Sequence, residues 1–434
     1  MRCHFREVVL LAAVLTAACA QTERPSTTGR PPTPWVSHAI PEAKGEAKIL
    51  PDGNKVHVRY RGWTTEDFSQ FRTYAYDDMR PAPPVSKALM PSVTGDPKAG
   101  RKLFLARAKG PCTGCHLIPG DDVWPAGNVG PDLSTYGDRK LPGEYVFTQI
   151  YDSRKFFPNT TMPPWGTTGI LKPEEIVHIV AFLQTLKGPV APEKEPNRNP
   201  DTRAKPVGFG DNLDPTNNPA VVLAEGAMIP WNRKGPTGKA CADCHAGGPE
   251  KSMKGVATRY PKYVGAFQRV MSIEDFLTVH APATTGLGML AQSDDNLHMT
   301  VLIKMQSNGM PVSVEVSSPQ ARASFERGRA SFFKKVGQRN HACADCHTKG
   351  AGRGAEKFLG GRLLGDAEAG FTKHFPLWRT SQAAVWDMRR RMQWCMTPLG
   401  TNMLPADAVE YAELELFLTA SDNGQPMSVP GIRH

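Results

Sequence analysis

After its first twenty residues, this sequence of 434 residues lacks any run of the roughly 20 apolar residues that a helix needs to cross a bilayer. A transmembrane helix is therefore excluded beyond the N-terminus. The chain also has almost no spare cysteine. Of nine cysteines, two lie near the N-terminus and six stand in three copies of one pentapeptide, so that only Cys395 is left over. A framework of several disulfides is excluded.

The N-terminus has the pattern of an export signal. A positively charged start, an apolar run and then small residues predict a signal peptide over residues 1–20, so we expect an exported, periplasmic protein. Residues 16–19 also resemble a lipoprotein signal, apart from Thr16. In that alternative the protein is tethered by a lipid on Cys19.

The repeated pentapeptide is Cys-x-x-Cys-His, the attachment motif for c-type haem. In this motif two thiols bind the haem vinyl groups and the histidine binds the iron. The three copies supply the thiols Cys112, Cys115, Cys241, Cys244, Cys343 and Cys346, with the histidines His116, His245 and His347. We therefore expect three covalently bound haem c groups.

The net charge of +10 does not indicate a nucleic-acid partner. Three haems bring six propionates, which offset much of this positive charge. The remaining basic balance suits an anionic small substrate or an acidic redox partner.

An internal repeat organises the second half of the chain. A glycine precedes the second and third motifs by 15 residues each, and Asn308–Val314 recurs in similar form as Asn423–Val429. Helical patterns close each unit over 173–186, 295–306 and 406–419. We predict a mainly α fold with three cytochrome c-like haem domains in series, the last two a duplicated pair. The predicted boundaries are 1–20 for the signal peptide, 21–94 for an extended arm, 95–190 for the first haem domain, 191–215 for a proline-rich linker, 216–318 for the second and 319–434 for the third.

Candidate ligands opposite the three histidines differ from one another. For the first haem, Met162 stands in an extended Met-Pro-Pro segment, and His178 is a competitor. Cys395 precedes Asn423 by 28 residues, and the same step back from Asn308 reaches His280. His280 is thus the candidate for the second haem. The alternatives for that position are His298 and Met289.

Cys395 is the candidate for the third haem and for chemistry. The pattern over 381–394 predicts a helix with Val385, Met388 and Met392 on the same face as Cys395. Arg391 lies one helical turn before the thiol, and a nearby cation favours the nucleophilic thiolate. The alternative is a buried, unreactive cysteine, but three successive arginines beside it are poor core formers.

With these motifs in order, the chain resembles SoxAX, the cytochrome of bacterial sulfur oxidation, with both subunits in one polypeptide. Residues 95–190 resemble SoxX and residues 206–434 resemble SoxA, ending in Arg391-Met-Gln-Trp-Cys395. The resemblance implies that Cys395 ligates the last haem and carries a persulfide, and that Arg391 helps to hold an anionic substrate. The implied activity is that of an L-cysteine S-thiosulfotransferase. It conjugates thiosulfate to the cysteine of a SoxYZ-like carrier protein and passes two electrons to a small c-type cytochrome.

Two departures from the family pattern stand out. SoxA and SoxX are usually separate chains, and two-haem SoxA proteins usually have cysteine where this chain has His280. We therefore expect a bis-histidine second haem. Two other functions compete with the proposed one: a plain multihaem electron carrier, and a thiosulfate dehydrogenase that forms tetrathionate.

Overall fold

The computed structural model describes residues 47–49, 55–57, 83–188 and 218–433. Within these ranges, positions 111, 121–122, 124–125, 338, 349–356, 360–361, 368–369, 400–403 and 405 are not described. The predicted signal peptide at 1–20, the lipid alternative at Cys19, most of the predicted arm and the linker at 191–215 lie outside the described residues.

Helices dominate the described part of the chain. They are α1 Pro97–Leu105, α2 Cys112–Cys115, α3 Gly143–Tyr151, α4 Pro173–Thr185, α5 Pro219–Gly226, α6 Met228–Asn232, α7 Cys241–Cys244, α8 Gly248–Ser252, α9 Ile273–Thr284, α10 Asp294–Met305, α11 Pro319–Phe333, α12 Cys343–His347, α13 Met388–Leu399 and α14 Val409–Ala420. The predicted closing helices are confirmed as α4, α10 and α14. No helix of this described part is long and apolar enough to span a membrane.

The strands are short and form small antiparallel hairpins. They are β1 Ala47–Ile49, β2 Lys55–His57, β3 Lys262–Val264, β4 Arg269–Met271, β5 Lys357–Leu359, β6 Arg362–Leu364, β7 Leu377–Arg379, β8 Ala384–Trp386 and β9 Gly431–Arg433. Strands β1 and β2, β3 and β4, β5 and β6, and β7 and β8 pair as antiparallel hairpins. Strand β9 pairs with β7 in parallel and makes the last hairpin a three-stranded sheet.

The first, second and third parts of the chain are the predicted haem domains at 95–190, 216–318 and 319–434. In the first and third parts a glycine allows two helices to cross closely. A Cβ atom at Gly100 of α1 would lie 1.9 Å from the carbonyl oxygen of His178 in α4. Gly328 of α11 meets the carbonyl of Glu413 in α14 in the same way, at 2.0 Å. The equivalent glycine of the second part, Gly226, has nothing within 4 Å of that position. The leading glycine therefore performs a packing role in only two of the three units.

The first part of the chain has its own core, whereas the second and third parts share a large one. The third part also has two smaller apolar clusters of its own. Phe104 of α1 packs with Ile176 and Val180 of α4. In the shared core, Trp231 of α6 belongs to the same buried cluster as Leu416 of α14. Burial of a common apolar surface therefore holds the last two parts together as one body.

The repeated sequence segments pair with each other across this body. The N–H of Val312 donates to the carbonyl of Gln425 at 2.9 Å, and the N–H of Gly424 donates back to Val312 at 2.9 Å. The side chain of Asn308 accepts from the N–H of Val429 at 2.8 Å, and that of Asn423 accepts from Val314 at 2.8 Å. The two similar ends thus satisfy each other's backbone groups.

The predicted helix over 381–394 is wrong in its first half. Residues 384–386 form strand β8, and helix α13 begins only at Met388. The turn before the strand has Ala383 at a φ of +47°, and the Asp387 carboxylate accepts from the N–H of Arg390 at 2.7 Å, which starts the helix. Val385 is therefore a buried strand residue, and its spacing from Cys395 is not a helical one.

Candidate functional site

The first motif forms a single helical turn, α2, followed directly by His116. The His116 ring contacts the carbonyl of Pro131 through Nδ1 at 2.7 Å. A Cβ on Gly130 would lie 2.3 Å from Cε1 of the same ring, so only glycine fits there. Burial lowers the pKa of His116, although the contact with Pro131 opposes this shift. A neutral imidazole with Nδ1 bonded to a carbonyl leaves Nε2 available for a metal, which fits a haem-binding histidine.

The third motif repeats this arrangement in α12. His347 Nδ1 contacts the carbonyl of Gly365 at 2.8 Å, and burial lowers the pKa of the ring. Within the motif, the Asp345 carboxylate accepts from the N–H of Ala342 at 2.8 Å and fixes the start of the turn. This histidine is likewise oriented and neutral.

The second motif places His245 opposite His280 of α9. Their ring centroids are 6.1 Å apart. At this separation one metal ion could lie between the two rings and bind a nitrogen of each at about 2 Å. Phe276 stacks on His280 at 5.0 Å, and Trp231 lies 5.7 Å from His245. The structure thus brings together two rings that could bind one iron.

The two alternatives for that position lie elsewhere in the second part. Met289 is 2 % exposed and is part of the hydrophobic core. His298 is half-buried on α10, where burial lowers its pKa while Asp294 and Asp295 oppose the shift.

Met162 lies in the loop between α3 and α4, partly buried against the core that contains Cys112. Its N–H donates to Thr160 Oγ1 at 3.0 Å and its carbonyl accepts from Ser153 Oγ at 3.1 Å. The competitor His178 has another role, because its Nδ1 accepts from the N–H of Asp96 at 3.0 Å beside the start of α1.

Cys395 lies in the middle of α13, with its thiol partly exposed. Nη1 of Arg391 is 2.8 Å from Cys395 Sγ. Burial raises the pKa of Cys343 to about 12, and the nearby Cys395 contributes to this shift. Arg391 is also close enough to His347 to lower the pKa of that ring further. The structure therefore places Cys395 and its arginine beside the third motif.

The three successive arginines have three different environments. Arg389 is 2 % exposed and its guanidinium binds both carboxylate oxygens of Asp275. Arg390 donates to the carbonyl of Gln292 at 2.9 Å. Only Arg391 reaches the Cys395 sulfur. The expectation that all three arginines are poor core residues is wrong for Arg389, because a buried carboxylate neutralises its charge.

Asp275 is a residue that the sequence reading missed. It stands in the first turn of α9, the helix that carries His280, and also accepts from the N–H of Ser272 at 3.0 Å. Its capping position after Ser272 was visible in the sequence, but its partner 114 residues further on was not.

Five basic residues of the third part are further candidates for contact with an anionic substrate: Lys349, Arg353, Lys373, His374 and Arg379. Lys349 and Arg353 lie outside the described residues. Lys373 binds the side chain of Gln425, and Arg379 lies over the rings of Trp386 and Trp394. Of those described, Arg379 is the one that reaches the aromatic residue next to Cys395.

The first part of the chain contacts the third part beside both of their motifs. Asn128 and Phe358 exchange two hydrogen bonds, of 3.1 and 2.7 Å. Lys335 Nζ donates to the carbonyl of Thr160 at 3.0 Å and to the Asp345 carboxylate at 2.8 Å. Thr160 comes two residues before Met162, so this contact joins the loop of that candidate ligand to the third motif.

A second contact lies between the two motifs themselves. Arg339 stands 5.4 Å over the ring of Trp165. Burial raises the pKa of Cys115 to about 12, nearby Cys346 adds to this shift and Arg339 opposes it. The first and third motifs are therefore neighbours.

Two family models match separate parts of the chain. The model described as SoxA/TsdA, cytochrome c domain, matches residues 226–312. The model described as cytochrome C oxidase, cbb3-type, subunit III, matches residues 95–183. The histidine geometry, the thiol pairs and these matches define a c-type cytochrome with covalently bound haem.

Several similar curated proteins are SoxA subunits. The L-cysteine S-thiosulfotransferase subunit SoxA of Rhodovulum sulfidophilum is 30 % identical over 227 residues, which cover 51 % of this chain and 75 % of that protein. The corresponding subunit of Hydrogenobacter thermophilus is 25 % identical and covers 58 % of this chain and 95 % of its own length. The chain belongs to the SoxA family of L-cysteine S-thiosulfotransferase subunits.

Two solved structures are also similar. The crystal structure of SoxXA from P. pantotrophus aligns with a TM-score of 0.44 at 26 % identity and covers 51 % of this chain and 80 % of that chain. Thiosulfate dehydrogenase (TsdBA) from Marichromatium purpuratum aligns with a TM-score of 0.20 at 16 % identity and covers 77 % and 70 %.

Proposed function

We propose that the protein is a sulfur-oxidation cytochrome that conjugates thiosulfate to the cysteine thiol of a SoxYZ-like carrier protein. The observation that carries this proposal is the 2.8 Å contact between Arg391 Nη1 and Cys395 Sγ beside the third motif. Membership of the SoxA family supports it, because the relatives are named L-cysteine S-thiosulfotransferase subunits.

The overall reaction forms one sulfur–sulfur bond. The carrier thiol loses its proton and joins the sulfane sulfur of thiosulfate, which gives a carrier S-thiosulfonate, one proton and two electrons. Haem c held at the three motifs would supply the one-electron redox chemistry that this loss of electrons needs.

Cys395 and Arg391 have separate roles in this proposal. Cys395 carries a persulfide, formed when its thiolate takes the sulfane sulfur of one thiosulfate and sulfite leaves. The terminal sulfur of this persulfide joins the sulfane sulfur of a second thiosulfate with loss of two electrons. The carrier thiolate then attacks that sulfane sulfur, which gives the carrier S-thiosulfonate and releases the Cys395 persulfide. Arg391 stabilises the sulfur anion and holds the negatively charged thiosulfate, because a guanidinium is a strong donor to anions. Both side chains are only partly buried, which leaves the thiol accessible to a partner.

The other ligands complete three haem sites. His116 with Met162, His245 with His280 and His347 with Cys395 would hold the irons, and the paired cysteines Cys112, Cys115, Cys241, Cys244, Cys343 and Cys346 would hold the haem vinyl groups. Thioether ligation raises a haem potential, so the Met162 site would be the electron exit toward a small c-type cytochrome. We place this protein in the periplasm, as expected from residues 1–20.

We further propose that residues 95–190 act as a SoxX-like domain fused to a duplicated SoxA-like pair at 216–318 and 319–434. The contact of Lys335 with both Thr160 and Asp345 supports a working interface between the first and last domains within one chain.

Thiosulfate dehydrogenase is the second candidate, because one matching family model covers both SoxA and TsdA proteins. It would couple two thiosulfates to tetrathionate without a carrier. Incubation with thiosulfate, with and without the carrier protein, separates the two functions by product.

The matched variants for the proposed mechanism are Arg391→Met and Arg390→Met. Both remove one guanidinium from α13, but only Arg391 touches the thiol. We expect the kcat/KM of carrier-dependent turnover to fall on the order of 10- to 100-fold in Arg391→Met, since charge-assisted hydrogen bonds are strong. Arg390→Met should stay within about twofold of the unmodified protein.

The intact mass of the Cys395 peptide gives an independent measurement. One extra sulfur on this peptide is expected after incubation with thiosulfate and carrier. Full carrier-dependent turnover in a Cys395→Ala variant would remove the proposed mechanism.

A further inference from the structure

Trp394 stands next to Cys395 on α13 and is surrounded by guanidinium groups. Its side chain is 46 % exposed. The guanidinium carbon of Arg391 lies 5.5 Å from the ring centre, and that of Arg379 lies 5.7 Å from it. The ring of Trp386 is 6.3 Å away at an angle of 55°. One indole ring is thus shared by two arginines, one of which contacts the thiol.

Arg379 is fixed on the hairpin rather than in solvent. It ends β7, which pairs with both β8 and β9, and it is 6 % exposed. Its guanidinium also lies 5.5 Å from the ring centre of Trp386 on β8. This burial makes Arg379 a group that holds the indole rather than one that meets a substrate from solvent.

Arg391 needs such support because its side chain is long and only half-buried. A free arginine populates many rotamers, and ordering it in one of them costs entropy. Stacking on an aromatic face offsets this cost, because the planar guanidinium is attracted to the ring. The indole therefore restricts the orientation from which Nη1 reaches Cys395 Sγ.

We propose that Trp394 is a positioning residue, which holds the Arg391 guanidinium at the Cys395 sulfur and is itself held by Arg379. This role rests on the proposed function, because it concerns the arginine that receives thiosulfate. Trp394 acts through Arg391 and links the hairpin to the thiol.

Phe333 provides a matched control elsewhere in the third part. It is 47 % exposed and has the guanidinium of Arg329 5.5 Å from its ring centre. Replacing either Phe333 or Trp394 with leucine removes an equally exposed ring from under an arginine. Only Trp394 is next to Cys395.

The test measures thiosulfate binding to the haem-loaded protein by calorimetry without carrier, then kcat and KM with carrier. In Trp394→Leu we expect the Kd and the KM for thiosulfate to rise about fivefold to tenfold, the size of a partly desolvated cation–π interaction. Trp394→Phe should restore them to within about twofold, because the ring face returns. Phe333→Leu should leave both unchanged.

Thermal unfolding separates positioning from stability. Trp394→Leu and Phe333→Leu should have equal midpoints, so that a change in Kd in the first alone identifies the positioning role. Arg379→Lys keeps the charge but loses the planar surface, and should raise the Kd in the same direction. An unchanged Kd in Arg379→Lys would overturn the part of the proposal that concerns Arg379.

Two failures are distinguishable in the same experiment. If the unmodified protein neither binds nor conjugates thiosulfate, the proposed function is wrong. If it does both and Trp394→Leu behaves as Phe333→Leu does, the proposed function stands and the positioning role of Trp394 is overturned.

Discussion

The buried ion pair between Arg389 and Asp275 can be tested for its contribution to the stability of helix α13. It joins α13, which carries Cys395, to α9, which carries His280. The two side chains are 2 % and 0 % exposed. The guanidinium also donates to the carbonyl of Ala406 at 2.7 Å. Loss of either partner would leave a charge buried in the shared body.

The two single variants are Arg389→Met and Asp275→Asn. Asparagine keeps the side-chain oxygen that accepts from the N–H of Ser272, so the start of α9 is preserved. Breaking a buried pair from one side costs about 3–5 kcal/mol. Arg269, 3.5 Å from Asp275, and Glu415, 3.7 Å from Arg389, would compensate only part of the remaining charge. The double variant should lose much less than the sum of the two singles, since it leaves neither charge behind.

The assay is unfolding in guanidinium chloride followed by circular dichroism, with the shift in midpoint at constant slope read as the change in stability. The exposed pair of Arg322 and Glu326, 60 % and 43 % exposed, is the control. Arg322→Met should cost at most about 1 kcal/mol. If Arg389→Met lost no more stability than Arg322→Met does, the reasoning about the buried pair would be refuted.

The pH dependence gives this prediction a second readout. Burial acts to raise the pKa of Asp275, but Arg389 and then Arg269 lower it below its ordinary value. Because the folded-state pKa is lowered, the stabilisation is fully present above the unfolded-state value of about 4. It is lost as the pH falls through the folded-state pKa. The difference in the free energy of unfolding between the unmodified protein and Asp275→Asn should therefore shrink below that pH.

Three further predictions concern the haem sites and the contact between the first and third parts. Gly130→Ala would push its Cβ against the His116 ring, so mass spectrometry should show less haem on the first motif, whereas Gly265→Ala, with nothing within 4 Å, should keep full loading. In electron paramagnetic resonance of the oxidised protein, one haem should have a thiolate-type signal, and two such signals would contradict ligation by His280. Lys335 bonds both Thr160 of the first part and Asp345 of the third. Lys335→Met should therefore increase the rate at which a protease separates the first part from the rest of the chain, and an unchanged rate would show that this side chain is not needed to keep the two parts together.

Sequence reasoning succeeded where the chemistry is local. The three Cys-x-x-Cys-His motifs predicted a c-type cytochrome, and the family models confirm cytochrome c domains. The roles of His116, His245 and His347 as ligands stay predictions. The repeat also pointed to His280, and the structure brings its ring to 6.1 Å from that of His245. Its role as a ligand stays a prediction.

Sequence reasoning failed where hairpin and helix patterns coincide. Apolar residues at 385, 388 and 392 fit a helical period, yet Val385 belongs to a strand. The competing signals were the left-handed turn at Ala383 and the cap at Asp387, which are weaker than a run of apolar spacing. Apolar residues at helical spacing therefore did not distinguish a strand followed by a helix from a single helix.

The sequence by itself determined the cytochrome class, the positions of the three Cys-x-x-Cys-His motifs and the spacing of Arg391 and Cys395 by one helical turn. All of these depend on residues close together in the chain. Only the tertiary structure decided that Arg389 is buried against Asp275, that Arg379 lies over the ring of Trp394 as Arg391 does, and that the first motif lies against the third. The physical reason is that such contacts join residues far apart in sequence, and their charges and rings leave no periodic pattern along the chain.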